Sequence, residues 1–96
     1  MGLQRKMDAN RYIQLTEAGS GRLEDAMRRY RRSIDDIAGD RETPSRNTVK
    51  RALRKGPVFL NTLDRIWDYL QRSAEEKREA LPDLRRGEDY RFVEGT

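Results

Sequence analysis

From Leu23 onward the apolar residues of this chain recur three and four positions apart. Leu23, Ala26, Met27 and Tyr30 form one stripe, and Ile34, Ile37 and Ala38 extend it. That spacing lets a helix turn one face toward a core. Ser33, followed three residues later by Asp36, resembles a capping box with aspartate in place of the usual Glu or Gln. It favours a helix break near Arg32 and Ser33 over one continuous helix. Leu60, Leu63, Ile66, Trp67 and Leu70 make the strongest apolar stripe and predict a core-anchoring helix over 59–72. Trp67 shares its face with four aliphatic residues, which favours a packed core role over a base-stacking platform. A polar, Glu-rich helix is expected to continue over 73–80, until Pro82 stops it.

Between these stripes the sequence predicts a helix over 45–55 with Ser45 as its N-cap. Pro44 disfavours a helical Thr43, Gly56 suits the left-handed position after a helix end, and Pro57 prevents continuation. On a wheel of about 100° per residue, Val49, Ala52 and Leu53 fall on one side and Asn47, Lys50, Arg51 and Arg54 on the other, with Arg46 in the exposed first turn. One face packs, and the other is cationic.

The flanks read differently. Residues 1–21 are expected to form an N-terminal arm, with a short helix over 7–18 that uses Tyr12, Ile13 and Leu15 and a flexible break at Gly19, Ser20 and Gly21. No strand is expected before these glycines, so they are read as a linker rather than a phosphate-binding loop. The tail, 81–96, holds the run Tyr90, Arg91, Phe92 and Val93, read as a strand that folds back or pairs with another chain, or as a sticky tail. The tail and the exposed side of helix 59–72 are the candidate dimer contacts. The expected architecture is therefore all-α: a compact four- to five-helix bundle over 22–80, with an arm and a tail.

Composition narrows the chemistry. The 96 residues suit one domain with a modest core, and 40% of them are charged against 34% hydrophobic. Neither cysteine nor histidine is present, which excludes disulfides, zinc-finger sites, thiol nucleophiles and imidazole acid-base catalysis. Adjacent carboxylates such as Asp35 and Asp36, or Glu75 and Glu76, diverge by about 100° on a helix and read as solvated faces. No enzyme activity, cofactor or metal is expected. There is no apolar run near the roughly 20 residues that span a bilayer, no signal-peptide pattern, and no broad apolar face on the basic helix for a membrane surface. A cytoplasmic protein without a membrane partner is expected.

The net charge of +4 is localised. Residues 22–56 hold 11 Lys or Arg against 6 Asp or Glu, whereas residues 73–96 hold 5 against 7. A concentrated positive field attracts a polyanion and speeds its encounter. Arginine can bond guanine O6 and N7 together, asparagine can bond adenine N6 and N7, and lysine or arginine can neutralise phosphate.

The order Leu23, Ser33, Ile37-Ala38, Ser45-Arg46-Asn47-Thr48-Val49, Gly56 and Leu63 resembles the phage-repressor and Cro (XRE-type) family of helix-turn-helix regulators over about 22–72. The resemblance implies a supporting helix from Ser33 to about Asp40 and a recognition helix over 45–55, with Val49 locking one to the other. It implies that Ser45, Arg46, Asn47, Thr48, Lys50, Arg51, Arg54 and Lys55 face double-stranded DNA. A homodimer is also implied. Arg28, Arg29, Arg31 and Arg32 are read either as an edge grip on the DNA backbone or as a solvated face. A sequence-specific transcriptional regulator is the expected function, a repressor rather than an activator because the chain has little room for further domains. Two departures stand beside the match. The turn carries Glu42, Thr43 and Pro44 instead of a glycine and is one residue longer than usual, and Ile34 replaces the phosphate-touching glutamine of the supporting helix. These support a rival reading: a helix-turn-helix-like module, such as an antiactivator or antitoxin, that sets its basic helix against acidic side chains of a partner regulator protein.

Overall fold

The computed structural model describes residues 10–40 and 44–93. Their elements run β1 (Tyr12–Leu15), α1 (Glu17–Arg29), α2 (Ile34–Ala38), α3 (Arg46–Leu53), β2 (Val58–Phe59), α4 (Leu60–Glu76) and β3 (Tyr90–Phe92). The all-α expectation is thus corrected: four helices pack with a three-stranded antiparallel sheet of order β2-β1-β3. Ile13 pairs with Val58 on one side and with Phe92 on the other, so the segment expected to be a helical arm is the central strand. Its four residues are too short to display a period, and Tyr12, Ile13 and Leu15 suit either spacing. Residues 1–9 of the expected arm lie outside the described residues.

Alternation assigns the two faces of the sheet. Ile13, Leu15 and Val58 are buried in the core, whereas Tyr12, Gln14, Phe59 and Arg91 share the outer face by register. The largest fully buried side chains are Ile13, Leu23, Ile37, Val49, Leu63, Ile66 and Leu70. Burying each contributes about 1.5–3 kcal/mol. One core therefore binds β1 and all four helices. Trp67 belongs to it and donates from Nε1 to the Pro82 carbonyl at 3.0 Å.

Gly19, Ser20 and Gly21 form no flexible break, because α1 begins at Glu17 and runs through them. A strand does precede them, contrary to the sequence reading. Thr16 caps the helix by accepting from the Gly19 N–H at 3.0 Å. The backbone of Asp89 lies against Gly19, where no side chain fits. The expected break between α1 and α2 is present, with both hydrogen bonds of the Ser33–Asp36 capping box formed. The helix expected from about Phe59 and continuing over 73–80 is α4, which starts at Leu60 and stops at Glu76, short of Ala80. The tail folds back within the chain: β3 pairs with β1, and the carboxylate of buried Asp89 accepts from Arg22 and from the Arg85 N–H, each at 2.7 Å.

Three helices end alike. After α1, α3 and α4 the chain enters the left-handed region at Arg31 (φ 54°), Lys55 (φ 65°) and Arg78 (φ 58°). The following N–H groups return to the last turn, from Arg32 to Met27, Gly56 to Arg51 and Glu79 to Ala74. These are Schellman closures in which a cation holds the place glycine usually takes. Gly56 was expected there and stands one residue later.

Candidate nucleic-acid interface

α3 is fixed from behind. Val49 and Ala52 are fully buried, Leu53 is half-buried, and the helix packs on α2, α1 and β1. The Ser20 hydroxyl donates to the Leu53 carbonyl at 2.9 Å, satisfying an acceptor that the helix end leaves open. At the other end Ser45 accepts from the Thr48 N–H at 3.4 Å, and the two hydroxyls lie 3.1 Å apart. Ser45 and Thr48 therefore serve the cap, and Thr48 is half-buried. The residues of the turn at 41–43, including Glu42 and Thr43, lie outside the described residues.

The remaining predicted residues divide. Arg46 is exposed but ion-paired across the helix pair with Asp35 of α2, Nε to Oδ1 3.4 Å. Asn47, Arg51, Arg54 and Lys55 are exposed and Lys50 is half-buried. Positions 47, 51 and 54 form one stripe along the helix, flanked by 50 and 55. Among the described residues Lys50, Arg51, Arg54 and Lys55 pair with no carboxylate. The stem of Arg51 lies over Gly56, where a Cβ would come within 2.7 Å of Arg51 Cγ. Arg51 and Arg54 thus face outward along α3, whose opposite side is locked into the core, with half-buried Lys50 beside them and exposed Lys55 just past the helix end.

The arginines at the end of α1 have other work. Arg29 donates to Glu79 at 2.8 Å, and Arg32 donates to Ser73 at 3.1 Å and to Glu76 at 3.3 Å. Arg28 pairs weakly with Asp25 at 3.5 Å, and Arg31 holds the left-handed helix end. Two of the four, Arg29 and Arg32, thus tie the end of α1 to the end of α4 and the turn after it. The hydrogen bond from Arg29 holds the Glu79 carboxyl below its ordinary range, assisted by one from Tyr30. In turn, burial first and then Glu79 push the Tyr30 phenol up.

Two surface features escaped the sequence reading. A cleft of about 520 Å³ lies between α1 and the end of α4, walled by Tyr30, Trp67, Leu81 and Pro82. Its rim charges Arg22, Arg29 and Glu79 are engaged with protein partners. The second feature is a stacked pair on the outer sheet face: the rings of Tyr12 and Phe59 are 4.5 Å apart, and both are exposed, at 37% and 39%. The pair is formed by residues 47 positions apart, and Phe59 had been expected to begin a helix. Among the described residues no group of three or more acidic side chains gathers as a metal site, and no helix is long and apolar enough to cross a membrane.

No family model, characterised protein or solved structure matches the chain significantly.

Proposed function

We propose that the chain is a sequence-specific double-stranded DNA-binding regulator of transcription that acts by occupying its site, with α3 in the major groove. The observation that carries this reading is the outward side of α3 and its C-terminal end, where Lys50, Arg51, Arg54 and Lys55 lack carboxylate partners among the described residues while Val49 and Ala52 anchor the back. A rigid helix with one cationic face supplies both the phosphate neutralisation and the base-edge donors that duplex recognition needs. Within this reading Asn47 and Arg51 face bases, Lys50, Arg54 and Lys55 serve phosphate or base, and Ser45, Arg46 and Thr48 stabilise the helix start. The supporting role falls to α2, as in helix-turn-helix regulators, with a sheet beside the helices.

The test is selection from a pool of duplexes randomised over about 20 base pairs, at a low salt concentration of about 50 mM. An enriched sequence is expected with the wild-type chain. Arg51→Ala should relax one position of that sequence, at a cost of about 1–3 kcal/mol in discrimination, whereas Lys50→Ala or Arg54→Ala should weaken binding to all sequences alike. Failure to retain any duplex, together with co-purification of a partner protein, overturns the proposal in favour of a protein-binding module.

A further inference from the structure

We infer that the outer face of the sheet is a second DNA contact, which grips the sugar-phosphate backbone beside the groove that α3 enters. This rests on the proposed DNA-binding function and extends its footprint to a surface with no helix. Tyr12 and Phe59 are the two large hydrophobic residues exposed among the described residues, and they stack with their rings 25° from parallel. Cross-strand pairing holds them side by side on the outer face.

The patch is continuous with α3. Gln14, two residues from Tyr12 on the same face, donates from Nε2 to the Lys55 carbonyl at 3.3 Å. Lys55 closes α3, and Arg51 lies over Gly56, just ahead of β2. Arg91, exposed on β3, stands opposite Gln14 in the register. Lys55 and Arg91 thus flank Gln14, one on the β2 side and one on β3, and the aromatic pair adjoins that row on the same face. Charge selects the occupant: a second copy of the chain would bring the same cations against each other, whereas a phosphate backbone complements them. The Tyr12 hydroxyl can donate to a phosphate oxygen, and the exposed Phe59 ring offers an apolar surface to a deoxyribose. Such contacts fix orientation and carry no base preference.

The experiment is hydroxyl-radical footprinting and anisotropy titration on a duplex enriched by the wild-type chain, with Tyr12→Ala/Phe59→Ala and Arg91→Glu variants. The double variant should lose protection of a few phosphates at one flank of the site and bind about tenfold more weakly, with the selected sequence unchanged. Arg91→Glu leaves the core untouched and keeps the test valid if the double variant unfolds. It should reduce the slope of log affinity against log salt by about 1. Full flank protection and unchanged slope in Arg91→Glu would overturn the inference while leaving DNA binding by α3 intact. A wild-type dimer in sedimentation that the Tyr12→Ala/Phe59→Ala variant converts to monomer would overturn it too, by assigning the face to a second copy. If the wild-type chain retains no duplex, the DNA-binding proposal itself fails, and this inference with it.

Discussion

Gly19 and Asp89 touch backbone to backbone: a Cβ on Gly19 would come within 2.7 Å of the Asp89 carbonyl carbon. The adjoining Thr16 N–H donates to the Asp89 carbonyl at 2.9 Å, and the Thr16 hydroxyl donates to the Glu88 carbonyl. The start of α1 is thereby joined to the chain segment that leads into β3. Two glycines two residues apart on one helix then have opposite requirements, since nothing lies within 4 Å of a Cβ on Gly21. Gly19→Ala should destabilise the fold by about 2–3 kcal/mol or more, as an overpacked contact against backbone does. Gly21→Ala should stabilise it by about 0.5–1 kcal/mol through reduced chain entropy. Urea denaturation of the two variants checks the pair, and equal effects would refute the close approach.

The three cations at left-handed helix ends strain the backbone where glycine would not. Arg31→Gly and Arg78→Gly should each stabilise the fold by up to about 1 kcal/mol. For a domain this size that raises the melting temperature by about 4–8 °C per kcal/mol. Lys55→Gly should do the same while lowering DNA affinity, so that stability and binding move in opposite directions. Calorimetry beside a binding titration separates the two.

Acid should weaken the fold through two carboxylates. The Ser33 backbone N–H, and then its hydroxyl, hold Asp36 below its ordinary value of 3.8. The hydrogen bond from Arg29, and then that from Tyr30, hold Glu79 below 4.5. Both depressed groups contribute stability that is present above their unfolded values and is lost as pH falls through the folded ones. Stability should therefore decline as pH drops below about 4.5. Glu79→Gln and Asp36→Asn should each flatten that decline in chemical denaturation measured across pH. An unchanged acid limb in both would contradict the assignment.

The capping box that separates α1 from α2 sets where α3 can stand. Ser33→Ala removes the hydroxyl that accepts from the Asp36 N–H at 3.0 Å and should cost about 1 kcal/mol. Thermal melting reads that loss. Because α2 is only five residues long, amide exchange should rise in α2 before it rises in α4.

Much of the helical part is legible in the sequence, because Leu23, Val49, Leu63 and Leu70 repeat at helical spacing and Ser33 and Ser45 mark helix starts. The packing and outward faces of α3 follow from the same wheel. The sheet is not legible. Its strands of two to four residues are too short to show alternation, and their pairing joins positions 12, 59 and 92, far apart in the chain. Gly19 reads like a linker because only the approach of Asp89 distinguishes a tight contact from a flexible hinge. Likewise, the sequence shows Arg46 as cationic but not that Asp35 of α2 holds it, and it shows Arg32 without its partners on α4. Tertiary partners decide which charges remain for a ligand.

The most direct measurement is the salt dependence of binding to a labelled duplex, for the wild-type chain and for a Lys50→Ala/Arg51→Ala/Arg54→Ala variant of equal thermal stability. With about six phosphates neutralised, log affinity should fall with log salt at a slope near −5 for the wild-type chain. The variant should bind far more weakly and with a shallower slope. Equal affinity and equal slope in the two proteins, or no wild-type binding at about 50 mM salt, would contradict the assignment of α3 as the DNA-reading helix.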